Sequence, residues 1–486
     1  MKQVPTGVPG LDQILDRGFT RPSTVLIAGT AGTGKTTFTV QSMFAAAKAG
    51  EKCLYFSAIS EPIAMLSGYM SKFSFYDPSM YERENLIYFD LSREIMKNKA
   101  YDLVDIITEN VEAIQPDRIV IDPITTMDLP LTDNERRRFY FDLFVGMKGW
   151  NSLVMVTGEF TEQSLQTSPI SYVADSIIHL SNELKKGCRV RYLDVLKMRG
   201  QSYASGKHVY RITDDGIITY PAPSFNGGTV TSPRKRVSTG IAGLDTMLSG
   251  GLISGTTSML TGPTGTGKTT SCMHFILDGA RQEEPGLIVS FEESAEQLRR
   301  NALSFGWDLG ALEENGLLHI LYPPTGEVYS GESLLSIRDC VEDIGVKRVI
   351  VDSINGFAGM SPDDDSDEYV RKTSGYLKSN NITTIFVSET ADLLGSKQIA
   401  ENGTSYIMDS VIMLRYVEIE SELRRAMSVL KIRGSAHDAG IHEVKITDKG
   451  LTIVTDGTSF EQYEDIFSGA PRLARKKAFV KAFGER

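Results

Sequence analysis

The stretch Gly262-Pro263-Thr264-Gly265-Thr266-Gly267-Lys268-Thr269-Thr270 reads G-x-x-x-x-G-K-T. Gly29-Thr30-Ala31-Gly32-Thr33-Gly34-Lys35-Thr36-Thr37 repeats it. This spacing admits few folds. Its glycines let successive backbone N–H groups close around phosphates, and the lysine reaches the outer phosphates. The threonine hydroxyl that follows takes one position on Mg²⁺. The loop must sit between a strand and the N-terminus of a helix, whose exposed N–H groups add positive potential under the anion. Two copies in matching contexts predict a chain that binds a nucleoside triphosphate twice, with ATP and Mg²⁺ as the expected ligands.

The surroundings of the loop repeat as well. Thr6-Gly-Val-Pro-Gly-Leu-Asp12 matches Thr239-Gly-Ile-Ala-Gly-Leu-Asp245. Each copy then runs through four short apolar segments: Thr24–Ala28, Cys53–Phe56, Arg118–Asp122 and Leu153–Thr157, against Thr257–Thr261, Leu287–Phe291, Arg348–Asp352 and Thr384–Ser388. Continuous apolar strands alternating with helical patterns predict a mostly parallel α/β sheet covered on both faces. The expected layout is a first domain over 1–220, a linker over 221–236, a second domain over 237–471 and a basic tail over 472–486. The Pro/Gly-rich run Tyr220–Gly228 and the basic turn Arg234-Lys-Arg236 mark the linker. The tail carries Leu473, Phe479, Val480 and Phe483 at roughly helical spacing, and a docking helix and a frayed end are both compatible with it.

Composition narrows the partners. A net charge of −11 argues against a nucleic-acid partner, since such proteins usually present a basic face. The acidic run Ser361–Glu368 points the same way. No apolar run approaches the ~20 residues that span a bilayer, and no secretory segment opens the chain. The four cysteines show no C-x-x-C spacing, so reduced thiols and a cytoplasmic location are expected. The histidines form no metal-binding pair, leaving Mg²⁺ as the expected metal.

Asp122 and Asp352 end apolar strands, expected beside the loop strand, where an acid holds Mg²⁺ directly or through water together with Thr36 or Thr269. Turnover also needs a group that orients or deprotonates the nucleophile. The second copy has Phe291-Glu292-Glu293 at the end of its second strand. Adjacent carboxylates there project to different sides, so one can face the γ-phosphate. In the first copy Ser57 and Ala58 stand where that pair is expected, and Glu61 is the nearest acid. Lys197-Met-Arg199 and Lys431-Ile-Arg433 place two cations on one face of a late strand. They suit either contacts to phosphate in a neighbouring subunit or a surface ion-paired patch.

With these marks in hand, the chain resembles the KaiC-like tandem-domain ATPase/autokinase family of the cyanobacterial circadian clock, within the RecA-like superfamily. The resemblance runs from Thr6 to about Pro471. It rests on the doubled loop, Phe291-Glu-Glu293, Tyr416-Val-Glu418, the Lys-x-Arg-Gly strands, Arg433-Gly-Ser-Ala-His-Asp438, Ile446-Thr-Asp-Lys-Gly450 and Phe467-Ser-Gly-Ala-Pro471. It implies two tandem RecA-like P-loop domains and a homo-hexamer with ATP between subunits. Lys197, Arg199, Lys431, Arg433 and His437 would act in trans, and a regulatory or histidine-kinase-type signalling partner would read the state of the ring. It also implies ATP hydrolysis and serine/threonine autophosphorylation. The acceptor matched by position is Ser405, with Thr404 as the neighbouring hydroxyl, because Tyr406 occupies the second acceptor position. The residues alone leave two other readings open: a RecA-like DNA-dependent ATPase, and a non-enzymatic ATP-gated scaffold.

Overall fold

A computed structural model describes residues 2–58, 63–97, 100–127, 131–185, 188–221, 235–323, 330–359, 366–390, 404–419, 422–454, 463–465 and 470–471. Glu61, the linker segment 222–234, the acidic residues 361–365, the segment 467–469 and the basic tail 472–486 lie outside the described residues. The chain divides into two compact units, Met1–Ser224 and Phe225–Arg486.

In the first unit, nine strands form one mixed sheet: β1 (Ser23–Gly29), β2 (Cys53–Ser57), β3 (Leu86–Asp90), β4 (Arg118–Asp122), β5 (Leu153–Glu159), β6 (Ser176–Lys185), β7 (Cys188–Met198), β8 (His208–Thr213) and β9 (Gly216–Tyr220). Their order is β9-β8-β7-β6-β1-β5-β4-β2-β3. The first six strands in chain order are mutually parallel, and β7 to β9 continue the sheet antiparallel. The strands are runs of Val, Ile and Leu because both faces are covered. Val25 and Ile27 enter one core layer with Phe38, Met43 and Phe44 of helix α1 (Lys35–Lys48). Leu26 and Ala28 enter the other, with Leu103 and Ile107 of α2 (Ala100–Ile114) and Phe139 and Leu143 of α3 (Asp133–Gly149). Each such side chain contributes about 1.5–3 kcal/mol on full burial, so the base of the loop is held from both sides.

The second unit repeats the plan with β10 (Thr257–Gly262), β11 (Gly286–Ser290), β12 (Leu318–Leu321), β13 (Arg348–Asp352), β14 (Thr383–Glu389), β15 (Ser410–Ile419), β16 (Glu422–Ile432), β17 (Ile441–Thr447) and β18 (Gly450–Val454). Their order is β12-β11-β13-β14-β10-β15-β16-β17-β18. Helices α4 (Lys268–Arg281) and α5 (Ala295–Leu303) cover one face, and α6 (Ser330–Ile344) and α7 (Ser366–Ser379) the other. Both units are therefore large, mostly parallel sheets flanked by helices, consistent with two tandem RecA-like domains. Among the described residues no helix is long and apolar enough to cross a membrane.

One expectation is corrected here. The strands ending in Asp122 and Asp352 do not adjoin the loop strands. β5 stands between β4 and β1, and β14 between β13 and β10. In a parallel sheet every connection is a crossover, so a strand that comes later in the chain can insert centrally, and nearness in sequence does not set the order.

Candidate nucleotide sites

Both loops leave the C-terminal end of a central strand and run into a helix. Gly34 and Gly267 are the N-caps of α1 and α4, at φ +89° and +102°, in the left-handed region that a residue with a Cβ adopts only under strain. Thr33 and Thr266 brace the turn by donating their hydroxyls to the carbonyls of Thr30 and Pro263, each at 2.8 Å. Lys35 Nζ donates to the carbonyls of Gly29 and Thr30 at 2.9 and 3.0 Å. Lys268 does the same to Gly262 and Pro263 at 2.8 and 2.9 Å. Burial lowers the pKa of both lysines. Glu159 and then Asp122 oppose this for Lys35, and Glu389, Asp352 and Glu292 oppose it for Lys268. A partly dehydrated ammonium folded over its own loop carbonyls has a strong incentive to exchange them for phosphate oxygens.

The acids behind the two loops differ. In the second unit Thr269 Oγ1 donates to Asp352 Oδ2 at 3.0 Å. Burial raises the Asp352 carboxyl to about 6; the Thr269 hydrogen bond opposes the rise and the charges of Glu292 and Glu293 add to it. Ser353 Oγ donates to Glu292 Oε1 at 2.5 Å, which turns Glu292 toward Asp352. Glu293 instead accepts from Asn301 Nδ2 at 2.7 Å, against α5. The adjacent carboxylates thus diverge as expected, and Glu292 is the one that faces the loop lysine. In the first unit Asp122 Oδ2 accepts from the Tyr55 hydroxyl at 2.5 Å, and Oδ1 accepts from Thr157.

The register of the first-copy acids needs a correction. Ser57 pairs with Asp122 as Ser290 pairs with Asp352. Ala58 N–H then donates to the Asp122 carbonyl at 2.8 Å, as Phe291 N–H does to Asp352 at 2.7 Å. Ala58 is therefore the counterpart of Phe291, and the next two residues in the sequence, Ile59 and Ser60, which lie outside the described residues, are not acids. Matching Phe56 to Phe291 by sequence sets the pair two residues too early. Backbone pairing sets the register, and a shared phenylalanine does not. The absence of an acid at the two matched positions stands.

Two further acids, beyond those the sequence marks, lie at the sites. Glu159 and Glu389 end the inserted strands, level with Gly29 and Gly262, and their charges act on the loop lysines. Thr264 of the loop donates its hydroxyl to Glu389. Their shared position at a strand end was the signal that could have found them.

Lys197 and Lys431 lie near the ends of β7 and β16, and Arg199 and Arg433 just beyond. These strands run antiparallel to their neighbours, so Met198 lies level with Ser176, and Ser176 with Val25 at the start of the loop strand. From Val25 to Gly29 is roughly 13 Å of strand at ~3.3 Å per residue. Neither cation pair is brought to its own loop. Both are instead tied to a carbonyl turn. Lys197 Nζ donates to Ser171 O at 2.8 Å, and Arg199 to Tyr172 O at 3.2 Å. Lys431 donates to Met408 O at 2.9 Å, and Arg433 to Tyr406 O at 2.6 Å. Asp175 and Asp409 pair with the two arginines at 3.3 and 3.8 Å. The same two acids accept from Thr24 N–H and Thr257 N–H. His437 lies half-buried in the loop after β16. Thr404 is buried, Ser405 half-buried and Tyr406 exposed in the turn before β15.

A family model described as "ATPase: KaiC" matches residues 4–224 and again 237–458. The chain belongs to the KaiC ATPase family. It is similar to "Circadian clock oscillator protein KaiC" of Thermostichus vulcanus, 32% identical over 487 residues, which covers 97% of this chain and 92% of that one. "Circadian clock oscillator protein KaiC 1" of Synechocystis sp. (strain ATCC 27184 / PCC 6803 / Kazusa) is 30% identical over 486 residues, with the same coverage. Membership implies nucleotide binding and an ATPase domain in each half, with Mg²⁺ general to such enzymes.

Proposed function

We propose that the chain is a ring-forming ATPase whose second domain is also a serine/threonine autokinase, acting in a cytoplasmic signalling or timing circuit. The observation that carries this reading is the second site: Lys268, Thr269, Asp352 and Glu292 converge on one loop. The residues suit Mg²⁺, for Thr269 and Asp352 form an oxygen pair at the foot of the loop in the second unit, and Thr36 and Asp122 supply the same donor types in the first. Bound there with ATP, the ion would neutralise charge on the transferring phosphoryl group. The protein's own part is positional. Loop N–H groups and Lys268 hold the phosphates, while Glu292 orients and deprotonates the attacking water or hydroxyl. Ser353 fixes the Glu292 carboxylate.

The ring follows from the cations. Lys197, Arg199, Lys431 and Arg433 sit roughly 13 Å of strand from their own loops, which favours contacts to ATP held by a neighbouring subunit, and His437 is proposed to contact it as well. A hexamer is the assembly proposed. Ser405, half-buried next to Lys431, is the proposed phosphoryl acceptor; Thr404 is buried and less suited. The first domain, with no acid at the Glu292 position, is proposed to turn ATP over slowly and to stabilise the ring. A regulatory or histidine-kinase-type partner would then read the ring.

Incubation with γ-labelled ATP tests this. Label should reach the protein, disappear in Glu292→Gln and fall strongly in Ser405→Ala. Label that survives both variants would overturn the kinase assignment. Phosphate release without any labelled protein would leave an ATPase and remove the autokinase.

A further inference from the structure

The two sites differ in what surrounds the strand-end acid. Asp122 receives two hydroxyl protons, one on each oxygen, from Tyr55 and Thr157. All three side chains are buried, and the Tyr55 ring stacks on Tyr88 at 5.5 Å, which fixes its hydroxyl. The register that equates Ser57 with Ser290 puts Ile288 at the Tyr55 position. Glu159 lies level with Gly29 and Glu389 with Gly262, so Val387 stands at the Thr157 position. The second copy therefore lacks both hydroxyls. There the acid accepts from the loop threonine, Thr269, at 3.0 Å. Among the described residues Thr36 donates to neither oxygen of Asp122.

We propose that Tyr55 and Thr157 are positioning residues that make the first nucleotide site a weaker magnesium site than the second. The inference rests on the reading that both loops hold Mg²⁺-ATP. A carboxylate that accepts a charge-assisted hydrogen bond on each oxygen has less electron density to offer a cation or its bound water. Its plane is also fixed by the two donors, neither of which is the loop threonine. Asp352, with apolar Ile288 and Val387 at those two register positions, keeps its density for the cation and stays joined to Thr269. Changing a ligand's outer-shell partners typically shifts metal affinity about 10–100-fold, downward where the partner supports the ligand; here the two donors compete with the cation for the ligand's own oxygens, so their removal is expected to shift it upward. The first site would then exchange its ion more readily and hold ATP with less dependence on it.

The test uses the full chain with one loop silenced at a time. Lys268→Ala leaves the first site, and Lys35→Ala leaves the second. Retention of radiolabelled ATP is measured first, then Mn²⁺ affinity of the ATP complex from the spin-resonance signal of free Mn²⁺. The first site is expected to bind Mn²⁺ about tenfold more weakly than the second. Tyr55→Phe with Thr157→Val, both near-isosteric, should bring it to within about threefold of the second site, and Thr157→Ser should leave it unchanged. Equal Mn²⁺ affinities at the two native sites would overturn the proposal, and that comparison needs no clamp variant to fold. So would an unchanged affinity in the double variant. A chain that retains no ATP at the first loop would overturn the reading beneath it as well.

Discussion

Asp352 is predicted to cost the nucleotide-free protein stability, and the cost has a definite pH dependence. The carboxyl is buried and raised from 3.8 to about 6. At about 1.4 kcal/mol per pH unit, that rise corresponds to about 3 kcal/mol of stability. The sign follows from the direction of the shift. The folded state holds this proton more tightly than the unfolded chain, so the contribution is fully present below pH 4 and lost as pH rises through 6. At pH 8 the nucleotide-free fold carries a buried carboxylate on which Glu292 and Glu293 act unfavourably and Thr269 and Lys268 favourably. Asp352→Asn keeps the acceptor for Thr269 and removes the charge. It should stabilise the second unit by about 2–3 kcal/mol at pH 8 and by almost nothing at pH 4. The protein contains two tryptophans, Trp150 in the first unit and Trp307 in the second, so Trp150→Phe leaves a reporter of the second unit alone. With a urea m-value of about 3 kcal/mol per M, the unfolding midpoint should rise by about 1 M at pH 8. A midpoint that falls at pH 8, or a gain of the same size at pH 4, would refute the reasoning.

Asp122→Asn should act in the opposite direction. Its carboxylate accepts from Tyr55 and Thr157, and an amide keeps only one oxygen, so one of the two hydroxyls must turn and accept from its nitrogen. A loss of about 1–3 kcal/mol, read from Trp150 fluorescence in a Trp307→Phe chain, is expected. Glu292→Gln should reduce ATP turnover at the second site by about 100-fold or more, measured as ADP formed in a Lys35→Ala background. Glu293→Gln, which faces Asn301 and α5, should reduce it less than about fivefold. Mixing Lys268→Ala chains with Arg433→Ala chains should restore part of the second-site turnover that neither shows alone. No restoration would place Arg433 outside a neighbour's site.

Much of this was legible because phosphate-binding loops and buried parallel strands have narrow sequence requirements. Thr24–Ala28 and Arg118–Asp122 read as strands because both faces of each are buried and every residue must be apolar or end-capping. The order of strands was not legible, since crossovers leave no local mark, and so the acid strands were placed one position too close to the loops. The Glu292 register in the first copy failed for a related reason. Phe56 and Phe291 look alike, yet the hydrogen bonds from Ala58 and Phe291 to the strand-end acids set the true match. Tyr55 and Thr157 went unnoticed because a hydroxyl in a buried strand reads as an ordinary β-former until the sheet brings it against a carboxylate.

Those two hydroxyls also explain how duplicated domains can separate their tasks without changing the loop. The loop residues are fixed by phosphate geometry, so divergence must act on what stands behind them. Tyr55 in place of the second copy's Ile288, and Thr157 in place of Val387, alter the partners of the acid and leave the backbone path of the strands intact. In the sequence Ala58 is followed by Ile59 and Ser60 where Phe291 is followed by Glu292 and Glu293, so the proposed base has no acidic counterpart at that point of the first copy. Each change is local, and on the proposed reading they together suit one site to holding nucleotide and the other to turning it over. A first domain carrying Tyr55→Ile and Thr157→Val, with Ile59 unchanged, should therefore gain ion affinity and no turnover. With Ile59→Glu added, turnover should rise as well. Metal binding and phosphate release, measured on the two variants in a Lys268→Ala chain, separate the contributions. Turnover that rises with the hydroxyl changes alone would show that the clamp, and not the missing carboxylate, is what slows the first site.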